Sequence, residues 1–478
     1  MIDVVVVGAG INGLAAAVVL ARAGLEVEVW EANATAGGGA RTLPLTEPGF
    51  VHDWGSAVHP MALASPFFRA FGLNERIEVT APEASYAQPL DAHRAAIAWR
   101  DLARTADELD RDGRAWRGLF APLAQRSDDL LDTVMAPMVP LPAHPLVAAR
   151  LGLRMARTGL PRAPWGFSGD AAPALLAGVF AHSISSLPSL AAAAPGLVLA
   201  TLAHTVGWPI PRGGSQSITD ALVADAAAHG ARILLDHRVS SITELPPARA
   251  VFFDTSPRAL VAIAGDLVRP AYRRAAARFR HGDAATKVDF ALSGPVPWAA
   301  DDIARSGTVH LGGTWREIAA AEADVAAGRH ARRPYVLVSQ PGILDPTRAP
   351  TGAQTLWTYA HVPAGSDVDV RESVISQLER FAPGFRDQII ASSVTTARDL
   401  ERGDANLVGG DIATGQVSLR QLVARPVLSP APWRAGSGLY LCSAATTPGP
   451  GVHGMAGFHA AQLALHEVFG RAVPSLAP

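Results

Sequence analysis

The stretch IDVVVVGAGINGLAAAVVLARAGLEVEVWEA, residues 2–32, constrains this chain more than any other. Its opening run of apolar residues reads as a parallel strand covered on both faces. Gly8, Gly10 and Gly13 follow at Gly-x-Gly-x-x-Gly spacing, with Ile11 and Asn12 opening a helix between them. The first glycine permits the turn, the second lets the backbone approach a pyrophosphate, and the third lets helix and strand pack closely. Gly24 is a natural helix stop, and a second strand ends at Glu31, followed by Ala32. A carboxylate at that distance from the glycines can accept hydrogen bonds from ribose hydroxyls. The unit therefore predicts a β-α-β dinucleotide site, with the helix N-terminus facing the anion. By itself it does not choose between FAD and NAD.

The residues that follow, EANATAGGGARTLPLTEPGFVHDWGSAVHP, resemble the start of the FAD-dependent amine oxidase and phytoene desaturase superfamily. Glu31, Gly37, Gly38 and Arg41 match its pattern. Many relatives carry Arg directly after the glycine pair, where this chain has Gly39, so Arg41 is the candidate to neutralise the pyrophosphate. The resemblance lays Gly55, Ser56, Ala57 and Val58 along the flavin ring. In PRGGSQSITDALVADAAAHGARILLDHRVSSI it implies a helix from about Ser217 to His229 and a strand ending near Val239, whose backbone meets the adenine end. In GLYLCSAATTPGPGVHGMAGFHAAQLALHEVF it implies a helix beginning around Val452, with His453, Gly454 and Met455 against the flavin pyrimidine edge. The dipole of that helix would stabilise charge on reduction. Ser443 stands where many relatives have Gly or an acidic residue.

The segments AGVFAHS, GWPIPRGGSQ, GTVHLGGTWREI and LVGGDIATG place the resemblance nearest the phytoene-dehydrogenase-like branch. It implies an α/β fold: a discontinuous Rossmann-type FAD-binding domain with an inserted α+β substrate domain. Residues 1–60, 208–265 and 425–478 would build the first, and residues 61–207 and 266–424 the second. Two domains also suit a chain of 478 residues. No second glycine fingerprint follows a strand, so a tightly held NAD(P)H beside the FAD is not expected.

Composition excludes several classes. The net charge of −2 and the absence of a compact basic run leave nothing to hold a nucleic-acid backbone. Cys442 is the only cysteine, so no internal disulfide or thiolate metal cluster can form, and the histidines lack metal-ligand spacing. No metal site is expected, and a reducing cytoplasm fits. Met1 leads directly into the first strand without a basic leader, so export is not expected. The stretch from Ser186 to Trp208 is long enough to span a bilayer but is broken by Pro188, Pro195, Gly196 and His204, and reads as a buried helix pair. In PMVPLPAHPLVAARLGLRMARTGLPRAP, apolar residues alternate with Arg150, Arg154, Arg157 and Arg162. That mix suits a helix on the inner membrane surface as well as one bordering two domains.

Lys287 is the only lysine among 41 basic residues. TKVDFALSGPVPW resembles the flavin amine oxidase segment in which a Lys reaches flavin N5 through a bound water. A compact ammonium can hold such a water where a planar guanidinium would displace it. The competing reading is a surface lysine that escaped an arginine-rich codon bias. His182 and Ser183 in AGVFAHS, His453 before the last helix, and His59 are further candidates to touch substrate or move a proton. Trp298 and Trp315 read as core. The resemblance implies an FAD-dependent oxidoreductase, with the flavin bound noncovalently, passing a hydride between a small lipophilic substrate and flavin N5 to desaturate or saturate a carbon–carbon bond. Oxygen or a quinone would accept the electrons. Amine oxidation and redox-neutral double-bond isomerisation are the alternatives. Five tyrosines in the whole chain leave little material for an aromatic cage, which weighs against the amine.

Overall fold

In the computed structural model, which describes residues 2–160 and 165–478, the Ile2–Val7 strand lies inside a six-stranded sheet. The order is Arg434–Gly436, Leu439–Leu441, Ala248–Phe253, Ile2–Val7, Val27–Trp30, Arg232–Leu234. Only the Arg434–Gly436 strand runs antiparallel to its neighbour. Val4 to Val6 are fully buried, as a parallel strand covered on both faces requires. The first helix, Ile11–Arg22, is buried along nearly its whole length between this sheet and two other helices, Gln216–Ala228 and Met455–Ala464. The last crosses it at backbone contact: a Cβ on Gly457 would lie 1.8 Å from the Asn12 carbonyl oxygen.

A second sheet has seven strands in the order Ile389–Thr395, Ala284–Leu292, Gln354–Val362, Val336–Ser339, Ser306–Leu311, Ala84–Pro89, Ala95–Trp99. Its side chains alternate between two cores. Val288, Phe290, Val338 and Leu356 pack under the Arg371–Phe381 helix. Ala285, Leu337, Trp357 and Tyr359 face the opposite way, toward the helices Ala171–Phe180 and Leu190–Ala203. The first sheet draws on residues 2–30, 232–253 and 434–441, and the second on residues 84–99 and 284–395.

Three boundaries differ from expectation. The Ser186 to Trp208 stretch holds one helix, Leu190–Ala203, with Pro195 inside it, because burial of an all-apolar surface outweighs the roughly 3 kcal/mol that an interior proline costs. The strand expected to reach Val239 ends at Leu234. Asp236 then takes a positive φ and its N–H bonds to the Asn33 carbonyl, turning the chain off the sheet before Val239. The last helix starts at Met455, since Gly449, Gly451 and Gly454 all hold positive φ and keep the preceding loop irregular. Among the described residues no helix is long and apolar enough to cross a membrane.

Candidate active site and cofactor cradle

The glycine turn is held by contacts that need each glycine. Gly8 has φ of 101°, and a Cβ on Gly13 would meet the Gly8 carbonyl oxygen at 2.2 Å. Glu31, at the end of the second strand, accepts the Ala9 N–H on one oxygen, while the Asn33 backbone and side-chain N–H groups reach the other, all at 2.8 Å. The Gly37 N–H bonds back to the Ala9 carbonyl, and a Cβ on Gly38 would lie 3.3 Å from the Gly10 Cα. The first helix has no side-chain cap, and the Asn12 Oδ1 is buried without a partner. A helix N-terminus whose own cap position is Gly10, closely spaced glycines and a strand-end carboxylate fit the diphosphate and ribose of an adenine dinucleotide.

Two charged residues modify this cradle. Arg41 is buried over the Trp54 ring and donates to the Gly38 and Gly403 carbonyls. Burial lowers its pKa, against the attraction of Asp404 and Glu31. A Cβ on Gly39 would face open space. Asp254, at the end of the Ala248–Phe253 strand, accepts the Gly13 N–H at 2.9 Å. Burial pushes its carboxyl up to about 7, Asp404 and Glu31 adding to the rise and the Gly13 bond opposing it.

The Asp53 to Val58 loop sits on this turn: the Ser56 N–H reaches the Gly39 carbonyl at 2.8 Å, and a Cβ on Gly55 would collide with the same oxygen. Lys287 meets the loop from the second sheet. Its Nζ donates to the Asp53 carbonyl at 2.7 Å and to Asp289 at 2.9 and 3.2 Å, 5.5 Å from the centre of the Trp357 ring. Lys287 is 2% exposed, which removes the surface-lysine reading. Burial raises the Asp289 carboxyl to about 6 although Lys287 pulls the other way. The Asp53 side chain is clamped by the Ser215 N–H, the Thr42 hydroxyl and Arg348, whose guanidinium also holds Asp345. His52 lies 3.7 Å from Asp289 and is pushed down to about 3 by burial and by Lys287.

The histidines divide. His453 uses both ring nitrogens on backbone: Nδ1 accepts the Met455 N–H and Nε2 donates to the Gly449 carbonyl, which leaves neither for proton transfer in this arrangement. His59 Nε2 bonds to the Ser215 hydroxyl. Ser443 donates to the Thr255 carbonyl. His182 Nε2 lies 2.9 Å from His310 Nε2, and His310 packs against Tyr86 and Tyr335. Tyr335 stacks on His361, whose Nδ1 lies 2.6 Å from Glu322, and His361 stacks on Tyr359. Trp298 is buried and donates to Gln340.

The structure thus gathers three of the five tyrosines on one sheet face, which the residue count had argued against. Asp289, Asp53, Arg348, Asp254 and His310 were missed as site residues. Strand alternation already put Asp289 on the face of Lys287, two residues on; the others had no local signal.

With this geometry in place, the comparisons with known proteins are specific. Residues 11–465 match the family described as flavin containing amine oxidoreductase. A rat protein called pyridine nucleotide-disulfide oxidoreductase domain-containing protein 2 is 26% identical, over 98% of this chain and 94% of its own length. Among solved structures, an oxidoreductase from Methanosarcina mazei aligns over 97% of this chain and 100% of its own at 16% identity, with a TM-score of 0.57. Cyclohexylamine oxidase from Brevibacterium oxydans aligns over 98% and 100% at 15% identity, with a TM-score of 0.58.

Proposed function

The chain belongs to the family of flavin-containing amine oxidoreductases and is an FAD-dependent oxidoreductase; from that premise we propose that it desaturates or saturates a carbon–carbon bond of a lipophilic substrate, in the manner of the phytoene-dehydrogenase-like branch. The observation that carries this reading is the apolar cover over the sheet face of Lys287. The helices Ala171–Phe180 and Leu190–Ala203 contribute Leu175, Leu176, Val179, Phe180 and Leu197 to the same buried apolar cluster as Trp357, Tyr359 and Leu337. An apolar surface of this kind binds hydrocarbon and excludes water.

Gly8 to Gly13, Glu31, Ala32, Gly38, Gly39 and Arg41 would hold the diphosphate and ribose of FAD. Gly55 to Val58 and residues 453–455 would hold its ring, and Ser443 and Val239 would border it. Bound noncovalently there, FAD supplies a hydride acceptor at N5. The protein's own part is orientation and a fixed electrostatic environment. Lys287, locked between the Asp53 carbonyl and Asp289, places a cation at the seam between the loop and the second sheet. His182, hydrogen-bonded to His310, is pushed down to about 3 by burial and would serve as a neutral polar contact for substrate rather than as a proton acceptor.

Amine oxidation is the second reading. It is favoured by Trp357 and Tyr359 in T-shaped contact beside Lys287, an aromatic wall suited to a substrate cation, and by the likeness to cyclohexylamine oxidase. Anaerobic mixing of the FAD-loaded protein with terpenoid, acyl and amine compounds separates the readings. Flavin bleaching by an apolar compound, which marks desaturation, or reoxidation of the pre-reduced flavin by an apolar alkene, which marks saturation, sustains the first reading, and bleaching by amines alone replaces it with the second. Product formation without net bleaching indicates isomerisation.

A further inference from the structure

We propose that the Pro145–Gly159 helix and the segment leading into it form a docking surface for an anionic lipid bilayer. Fourteen large hydrophobic residues are exposed among the described residues, and five of them, Met138, Leu141, Leu146, Leu153 and Leu160, fall within 23 consecutive positions. Leu141, Leu146 and Leu153 are each more than 70% exposed, so little of their apolar surface is covered by the protein. At 100° per residue, positions seven apart nearly superimpose, so Leu146 and Leu153 form a row along the outward face that Leu160 continues at the helix end. Val147, Leu151 and Thr158 are buried on the inward face.

A parallel row is basic. Arg150 and Arg157 are exposed beside the leucines. Arg154 lies farther round, donating to the Leu119 and Arg150 carbonyls, and its pKa is lowered by burial and then by its two arginine neighbours. From Thr133 to Gly169 the sequence contains four arginines and no carboxylate; Arg162 lies outside the described residues. Among the described residues none of the other three forms an ion pair. Acidic groups stand on the preceding Ser127–Val134 helix, where Asp129 and Asp132 face His144 at 3.8 and 3.7 Å.

A second copy of the chain is a poor occupant. A two-fold interface sets a patch against itself, and with no carboxylate on the helix its basic row would face arginine with arginine. A sheet of lipid phosphates answers the basic row while the acyl boundary receives the leucines, the arrangement of interfacial amphipathic helices. The helix also lies against Leu190–Ala203, which belongs to the apolar cluster on the Lys287 side of the second sheet. The surface therefore borders the apolar region, although its argument does not depend on what reacts there.

The test is co-sedimentation of the FAD-loaded full chain with phosphatidylcholine vesicles, with and without phosphatidylglycerol. Binding is expected to the anionic vesicles and to weaken with salt. Leu146→Glu with Leu153→Glu should lower affinity at least tenfold while FAD content and circular dichroism stay unchanged. Arg150→Gln with Arg157→Gln should cost about fivefold for each charge and remove the preference for anionic lipid. Leu428→Glu, at an exposed leucine far along the chain, should leave binding unchanged. Absence of vesicle binding, or equal binding by the leucine double variant, overturns the proposal. So does sedimentation velocity showing a dimer that the leucine double variant dissociates, which would assign the face to a second copy.

Discussion

Two of the places where this protein buries several charges treat them in opposite ways. Around Lys287 the charges alternate in sign and pair directly: Lys287 with Asp289, Arg348 with both Asp53 and Asp345. At the glycine turn the carboxylates meet N–H groups instead, Glu31 those of Ala9 and Asn33, Asp254 that of Gly13, while the one nearby cation, Arg41, spends its hydrogen bonds on carbonyls. A pair of opposite charges suffers most when one member is removed, because the other is left buried. A carboxylate held by dipoles leaves no buried counter-charge behind when it is removed; burial raises Asp254 and Asp404 at the turn as it raises Asp289 beside Lys287.

The sharpest way to break this contrast is Arg348→Met. Asp53 and Asp345 would both lose their cation inside the protein, at a cost of about 3 to 5 kcal/mol in chemical denaturation. A loss near zero would mean that the backbone and hydroxyl donors to these carboxylates suffice.

Lys287→Met comes next, because Asp289 would be stranded. Its pKa, already raised, should rise further, so the stability this carboxyl contributes is present at low pH and lost as pH climbs through that pKa. Melting temperatures should show the variant close to wild type at pH 5 and clearly weaker at pH 8, with Lys287→Met/Asp289→Leu recovering much of the difference. In the double variant, stopped-flow mixing of the reduced flavoprotein with oxygen should be slower, tenfold for each 1.36 kcal/mol of lost charge stabilisation. An unchanged rate would leave Lys287 a purely structural partner of Asp289.

At the glycine turn the expected effects are smaller. Glu31→Ala should weaken FAD binding by about 1.5 to 3 kcal/mol, read by fluorescence titration, as hydrogen bonds to a charged acceptor are lost. Asp254→Asn should have the smallest effect, about 1 kcal/mol, and of the opposite sign. Since the Asp254 pKa is raised to about 7, its contribution to stability is complete below the usual carboxylate range and lost as pH rises through 7, so the neutral variant should melt higher than wild type at pH 8 and not at pH 4. Equal melting temperatures at both values would show that the Gly13 N–H offsets the burial of the charge.

How much of this was legible in the sequence follows the same division. The strand, glycine turn, helix and acidic strand end were readable because one local unit makes all the contacts that its residues require: Gly13 abuts Gly8, and Glu31 reaches Ala9. Lys287 stood out by rarity and by its resemblance, and alternation placed Asp289 on the same face. Nothing local marked Arg348, which acts on Asp53 from 295 residues away, or Asp254, which reaches Gly13 across 241. Helix and strand ends slipped by a few residues where a turn residue such as Asp236 or Gly454 met a tertiary partner.

By itself, then, the sequence determined the dinucleotide-binding unit, the α/β class and the doubly covered first strand, because periodicity and glycine placement act over a few residues. Only the tertiary structure decided which charges are paired, which histidines keep a free nitrogen, and that Tyr86, Tyr335 and Tyr359 share one buried region. Pairing of buried charges and stacking of rings depend on distances between strands far apart in the chain, and those distances exist only once the two sheets have formed.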